Sequence, residues 1–388
     1  MTPAAPTLAF VESPVQLLNV LEWAHLHRDG PADPGPLLGA VPQQRRHRPG
    51  PPDAPAGAAA AGAPTGLRIV VLPPTDPMSR GQLRRMAGLA RDEGHQVSWQ
   101  EARGGRLAPL KALAALVRDV RAARRVVIGD PFSRYVQLLL TLVRAEELVV
   151  VDDGTATMEF IAQTARGERL VRWHRAGGGG LRGRVRELAY APVSATARRR
   201  FTAGDGRHVE VFTSMPVTVH GGTALRVNAF AWTRERFGPP RLTRGTDLVG
   251  TSLVETGVVD PARYLDAVRT LTREHGATRY FAHRRESPEK LRALSEATGL
   301  EIVRPDLPLE LIARRGPVGR TIVSFPSTVV HTLPYALTGT GVTVAVCAVD
   351  PQWLTASASA RARSFLAGVT DTARGVRRLP ARTTSAAG

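Results

Sequence analysis

The chain is poor in several things at once. Of its 388 residues one is cysteine and two are lysine, Lys111 and Lys290. Aromatic residues make up 5%, and no apolar run approaches the ~20 residues that a membrane-crossing helix needs. The lone Cys347, inside GVTVAVCAV, has no partner for a disulfide or a thiolate metal site. It reads as a small core residue, and a cytoplasmic location follows. The opening MTPAAPTLAFVESPVQ has no basic leader and carries Glu12 early, so no signal peptide is expected. His25, His27 and His47 lack ligand spacing, so no metal is expected. Neither a P-loop nor a dinucleotide glycine fingerprint occurs, which excludes ATP and NAD readings. Ser214, in FTSMPV, is not in a nucleophile elbow, which argues against a hydrolase. Without a zinc-finger, helix-turn-helix or RNP-like signature, nucleic acid is not the expected partner.

What the chain does have is charge. The formal net charge is +18, and almost all of the basic side chains are arginine. A GC-rich coding sequence would produce that bias by itself. A functional reading is attraction to polyanions, such as nucleotide donors, acidic glycans or an anionic membrane surface. Residues 29–66 are rich in Pro, Ala and Gly without periodicity, and are expected to form a mobile insertion. Around them apolar strand-like runs alternate with helical patterns. LAFVES is followed by PVQLLNVLEWAHLH, with Ser13 as N-cap and Pro14 at the first helical position. Strand-like RIVVLP, QVSWQE, RRVVIGD and LVVVDDG follow, with helical patterns between them. HRAGGGGLRGRVREL suggests a mobile loop over a cleft, and the alternation then restarts through DLVGTSLV, TRYFAHR, TIVSFPS and VTVAVCAV. Strands spaced by helices imply parallel α/β sheets with ligands at their carboxyl ends. Two such halves are expected, residues 1–240 and 241–375, facing one another across a cleft, with 376–388 as a disordered tail.

Polar residues recur at the carboxyl ends of these strands. They are Glu12-Ser13, Gly129-Asp130, Asp152-Asp153-Gly154, Gly250-Thr251-Ser252 and His283-Arg284-Arg285, and SFPST joins a strand to a helix at Ser324–Thr328. Any one of them could be an ordinary polar loop. The order ESPVQLLN, GDPFSR, VVDDGT, AHRRE, SFPST, however, resembles the bacterial sialyltransferases, most of all the polysialyltransferase-like family. The resemblance spans about residues 7 to 350 without the insertion. It implies two facing Rossmann-like domains in the GT-B arrangement, a CMP-sugar donor, a glycan acceptor and no metal. The acidic triplet and the Ser-Thr pair match as written, whereas Arg284 stands where the family has proline after its histidine.

The resemblance also implies roles. Of the two adjacent carboxylates, strand alternation turns one toward the cleft. By similarity Asp153 is the base for the acceptor hydroxyl, while Asp152 either hydrogen-bonds within its own domain or binds acceptor. His283 assists the leaving phosphate, as an acid or a charged donor. Ser327 and Thr328, at a helix start, suit a phosphate, although plain N-capping would use the same residues. Glu310 corresponds to a carboxylate that bonds the nucleotide ribose. Gly250, Thr251, Ser252 and Arg284 complete the donor side. Ser13, Gln16, Asp130 and Ser133 belong to the acceptor side, where Asp130 could equally be a cap. The function implied is inverting transfer of a sialic or related nonulosonic acid from CMP to a glycan, near the inner membrane face. Another CMP-linked keto-sugar such as Kdo, or a non-catalytic polyanion- or glycan-binding protein, are the alternatives.

Overall fold

The computed structural model describes residues 7–28, 67–103, 105, 108–172, 181–204 and 206–381. The expected insertion at 29–66 lies outside them. The chain opens with β1 (Thr7–Val11), α1 (Pro14–Leu26), β2 (Leu67–Val71), α2 (Pro77–Asp92), β3 (Gln96–Trp99) and α3 (Ala108–Ala122). Then come β4 (Arg125–Ile128), α4 (Arg134–Leu140), β5 (Glu147–Val151), α5 (Thr155–Ala165), α6 (Leu181–Arg200), β6 (His208–Thr213), β7 (Ala224–Val227) and α7 (Ala231–Phe237). The second half is β8 (Leu242–Val249), α8 (Pro261–His275), β9 (Ala277–Phe281), α9 (Pro288–Thr298), β10 (Glu301–Val303) and α10 (Leu309–Arg315). It ends with β11 (Val318–Ser324), α11 (Val329–Ala336), β12 (Thr343–Cys347), α12 (Ala360–Thr372) and β13 (Arg377–Leu379).

Local chemistry starts many of these helices the same way. A capping side chain followed by proline opens α1 (Ser13-Pro14), α2 (Asp76-Pro77), α8 (Asp260-Pro261) and α9 (Ser287-Pro288), each cap accepting a backbone N–H of the first turn. The strands between them are short apolar runs, buried on both faces as parallel strands must be. They assemble into two sheets, ordered β3-β2-β1-β4-β5-β6-β7 and β10-β9-β8-β11-β12-β13. All pairings within both are parallel. Two such doubly wound sheets make the two Rossmann-like domains of a GT-B arrangement. Strand order reverses between β1 and β4 in the first sheet and between β8 and β11 in the second. Those switch points open crevices at the carboxyl ends, where ligands of this architecture bind. One core cluster crosses between the halves, joining Val11, Phe230 and Trp232 to Leu307, Leu311 and Ala336.

Some elements differ from expectation. LRGRVREL is not loop but the start of α6, which docks on the first core through Ala197; HRAGGGG lies outside the described residues. Its arginines are good helix formers, and no apolar stripe announces the helix. The tail expected to be disordered holds β13, three residues ordered by parallel pairing with β12. Residues 382–388 are outside the described part. α5, α6, α7, α10, α12 and β7 were not anticipated. α7 and α10, seven residues each, are too short to show a period. Among the described residues no helix is long and apolar enough to cross a membrane.

Candidate active site

At the first switch point the chain leaves β1 through Glu12 and Ser13. Ser13 Oγ accepts the Gln16 N–H at 3.2 Å, capping α1. Gln16 then folds back, its Oε1 accepting the Glu12 N–H at 2.7 Å. It crosses the end of β4 so closely that a Cβ on Gly129 would lie 2.4 Å from that oxygen. Ser133 Oγ donates to Glu12 Oε1 at 2.6 Å, and Arg103 pairs with Glu12 Oε2 at 2.7 Å. Asp130 accepts the Phe132 N–H at 2.9 Å and pairs with Arg172 at 2.8 Å. The same Arg172 nitrogen lies 3.4 Å from Asp153. Gln16, Asp130, Ser133 and Asp153 are thus brought into one network. Arg103 and Arg172 were not foreseen, since nothing local separates them from the other arginines.

The two aspartates behave differently. Asp152 is 2% exposed and accepts the Gly154 N–H at 2.8 Å and the Thr157 hydroxyl at 2.9 Å. Its carboxylate ties the turn to α5 by hydrogen bonds within its own domain, the first of the two arrangements expected for it. Asp153 is turned outward, its side chain 19% exposed. Burial, and then the negative charge of Asp130, push it up to about 7, against Arg172, Gln16 and Arg284. Gly154 has φ +67°, which suits glycine. A Cβ there would also lie 2.9 Å from Thr328 Cγ2. The acidic turn of the first domain and the Ser-Thr motif of the second therefore meet across the cleft.

On the second rim, β8 ends at Val249 rather than running on to Val254. Gly250 turns where a Cβ would lie 2.1 Å from Glu286 Oε2 and 2.8 Å from the Tyr280 ring. Glu286, unforeseen, is 3% exposed and organises this rim. It accepts the His283 N–H at 2.6 Å, the Tyr280 hydroxyl at 2.5 Å and Lys290 at 2.7 Å. Lys290 also donates to the Thr251 carbonyl at 3.0 Å. One buried carboxylate thereby fixes both the Gly250–Ser252 loop and the His283 loop. The Arg285 N–H donates to His283 Nδ1 at 3.2 Å, which leaves the proton of the neutral ring on Nε2. Burial, then Arg284, Arg285 and Lys290, lower His283 to about 4. Arg284 is exposed, and its charge acts on Asp153 and Asp76 across the cleft.

Ser327 lies 3.2 Å from the Ser324 hydroxyl, and Thr328, at the start of α11, makes no side-chain cap bond with its helix. Glu310 is 5% exposed and accepts the hydroxyl of Thr332, in α11 one turn on from Thr328, at 2.6 Å. Ser13 uses its hydroxyl as a cap. Among the described residues no group of three or more His, Cys, Asp or Glu is arranged to hold a metal ion.

No family model matches this chain, and no curated protein does. Solved structures similar to it include the α/β-galactoside α-2,3-sialyltransferase of Photobacterium phosphoreum, with 9% identity and a TM-score of 0.48, covering 96% of this chain and 98% of that one. The GT-B domain of a Photobacterium damselae sialyltransferase gives 10% identity and a TM-score of 0.43, covering 97% and 99%. A MurG of Acinetobacter baumannii gives 10% identity and a TM-score of 0.40, covering 97% and 86%. Each is a likeness in shape, and the chemistry must come from the residues of this chain.

Proposed function

We propose that this chain is a glycosyltransferase that moves a sialic or related nonulosonic acid from a CMP-linked donor to a hydroxyl of a glycan acceptor, with inversion. The observation that carries the reading is the meeting of Gly154 and Thr328, which sets an outward carboxylate beside a helix start where Thr328 makes no side-chain cap bond. In the proposed reaction Asp153 takes the proton of the acceptor hydroxyl as that oxygen bonds the anomeric carbon. The bond from that carbon to the CMP phosphate breaks through an oxocarbenium-like state, and the electron pair leaves with the phosphate. Ser327, Thr328 and the first N–H groups of α11 receive the phosphate, helped by the helix dipole. His283 donates through Nε2–H. Its low proton affinity makes it a neutral donor, and the negative charge that gathers on the leaving phosphate would raise that affinity.

Gln16, Asp130 and Ser133 lie where the acceptor would approach, and Gly250, Thr251, Ser252 and Arg284 line the donor side. Arg284, in place of proline, favours one second reading, a different CMP-linked keto-sugar such as Kdo. The arginine excess suits an anionic donor and peripheral attachment at the inner face of a membrane.

The test is thermal stabilisation by CMP against UMP, GMP and ADP. A ligand bound only by the native state raises its melting temperature. A shift selective for CMP is expected; a preference for UMP or GMP overturns the donor assignment.

A further inference from the structure

Asn19 and Asn228 lie outside every contact described so far. They are 2% and 0% exposed, so their amides must find partners inside the protein. Asn19 Nδ2 donates to the Asp152 carbonyl at 2.8 Å, at the root of the acidic turn. Asn19 Oδ1 accepts Asn228 Nδ2 at 2.8 Å, and Asn228 Oδ1 accepts the Phe230 N–H at 3.0 Å. The chain of bonds runs in one direction without a gap. It ends at an unusual residue: among the described residues Phe230 is the one non-glycine with positive φ, at +53°.

Phe230 is the residue from which α7 starts, and α7 begins against the same helix that carries Asn19. Glu22, three residues on and so on the same face of α1, accepts the Trp232 and Thr233 N–H groups at 2.9 Å each and the Thr233 hydroxyl at 2.5 Å. α7 is the last helix before the chain crosses to the second sheet. It packs against α10 and α11 of that half, and its Trp232 shares the crossing core with Leu311 and Ala336. α11 in turn begins at Thr328, which touches Gly154. The acidic turn is therefore tied to α11 twice, once directly across the cleft and once through Asn19, Asn228, Phe230 and α7.

We infer that Asn19 and Asn228 are positioning residues, which hold the Asp152–Gly154 turn in register with the interdomain helix α7 and so set Asp153 opposite Thr328. The catalytic side of this inference rests on the proposed transferase reaction, while the mechanical side does not. A role confined to satisfying buried amides would disturb only the surroundings of each substituted residue. A relay makes each end respond to the loss of the other.

Amide hydrogen exchange on the full chain separates the two. In Asn228→Ala, exchange at residues 152–157 rises about tenfold along with that at 230–237. In Asn19→Ala, exchange at 230–237 rises in the same way. Thr246→Val, which removes a buried hydroxyl bond to the His275 carbonyl in the second half, leaves both segments unchanged. A rise confined to the immediate neighbours of the substituted residue overturns the relay. Should Asn228→Ala fail to fold, Asn19→Ala carries the test by itself, read at 230–237. With CMP-sialic acid as donor, both asparagine variants lower kcat about tenfold while the CMP-induced thermal shift is kept. If the wild type shows no transfer, the functional reading fails and the exchange result still decides the relay.

Discussion

The two rims of the cleft are built from the same kind of strand end but are charged in opposite ways. On the first, Glu12, Asp130 and Asp153 gather around Arg103 and Arg172. On the second are His283, Arg284 and the hydroxyls of Ser327 and Thr328, with a buried Glu286 that accepts from Tyr280, His283 and Lys290. Burial acts on both rims and favours the uncharged form in each case, raising Asp153 to about 7 and lowering His283 to about 4. The difference lies in what each rim awaits. Asp153 needs only a pH above neutrality, or more of the field of Arg284, to become a base. His283 needs an anion before it can hold a second proton.

The largest expected effect comes from removing the proposed base. Asp153→Asn should lower transfer from CMP-sialic acid by ~10²–10⁴-fold, the usual share of general-base catalysis, while stabilisation by CMP survives. Equal loss of both would show that Asp153 serves binding or folding instead. The charges around it are next. With Asp153 as base, kcat/KM should rise with pH through about 7, since the carboxylate forms only above that value. Asp130→Asn removes a charge that raises this pKa and should move the profile to lower pH; Arg172→Met should move it higher. An unmoved profile in both variants would assign the titration to another group.

Stability offers a smaller effect away from the rims. Burial raises Glu22 from 4.5 to about 7, against the hydrogen bonds that it accepts from α7. The folded state therefore binds this proton more tightly than the unfolded chain does. The resulting stabilisation is complete below about pH 4.5 and is lost as pH rises through about 7. The wild type should lose stability relative to Glu22→Gln between pH 5 and pH 7.5, read as urea midpoints; a constant difference removes Glu22 from the titration. The smallest effect belongs to the exposed Arg166–Glu168 pair. Arg166→Ala should leave the melting temperature unchanged, because water and salt screen such contacts.

How legible was this site beforehand? Asp153, His283 and the Ser327-Thr328 pair could be found because each follows a strand with a distinct short motif. Gly154 could be read as a turn residue, though not as the point where the halves meet. Glu286 escaped notice because a glutamate just before a helix looks like a solvated charge. Its importance comes from Gly250, 36 positions earlier, whose missing side chain makes room for it. Glu310, chosen by its resemblance to a ribose-binding carboxylate, bonds Thr332 of α11 through its carboxyl. Arg172 could not be picked from so many arginines by any local rule.

The sequence by itself determined the alternation of strands and helices, the capping pairs that start the helices and the placing of polar motifs at strand ends. All of these depend on neighbours within a turn or two of chain, where periodicity and backbone chemistry act. Only the tertiary structure decided which of two adjacent aspartates faces the cleft, which arginine joins it and which way each acid or base is shifted. Those outcomes depend on burial and on charges distant in sequence and close in space, where the loss of water makes a few ångströms decisive.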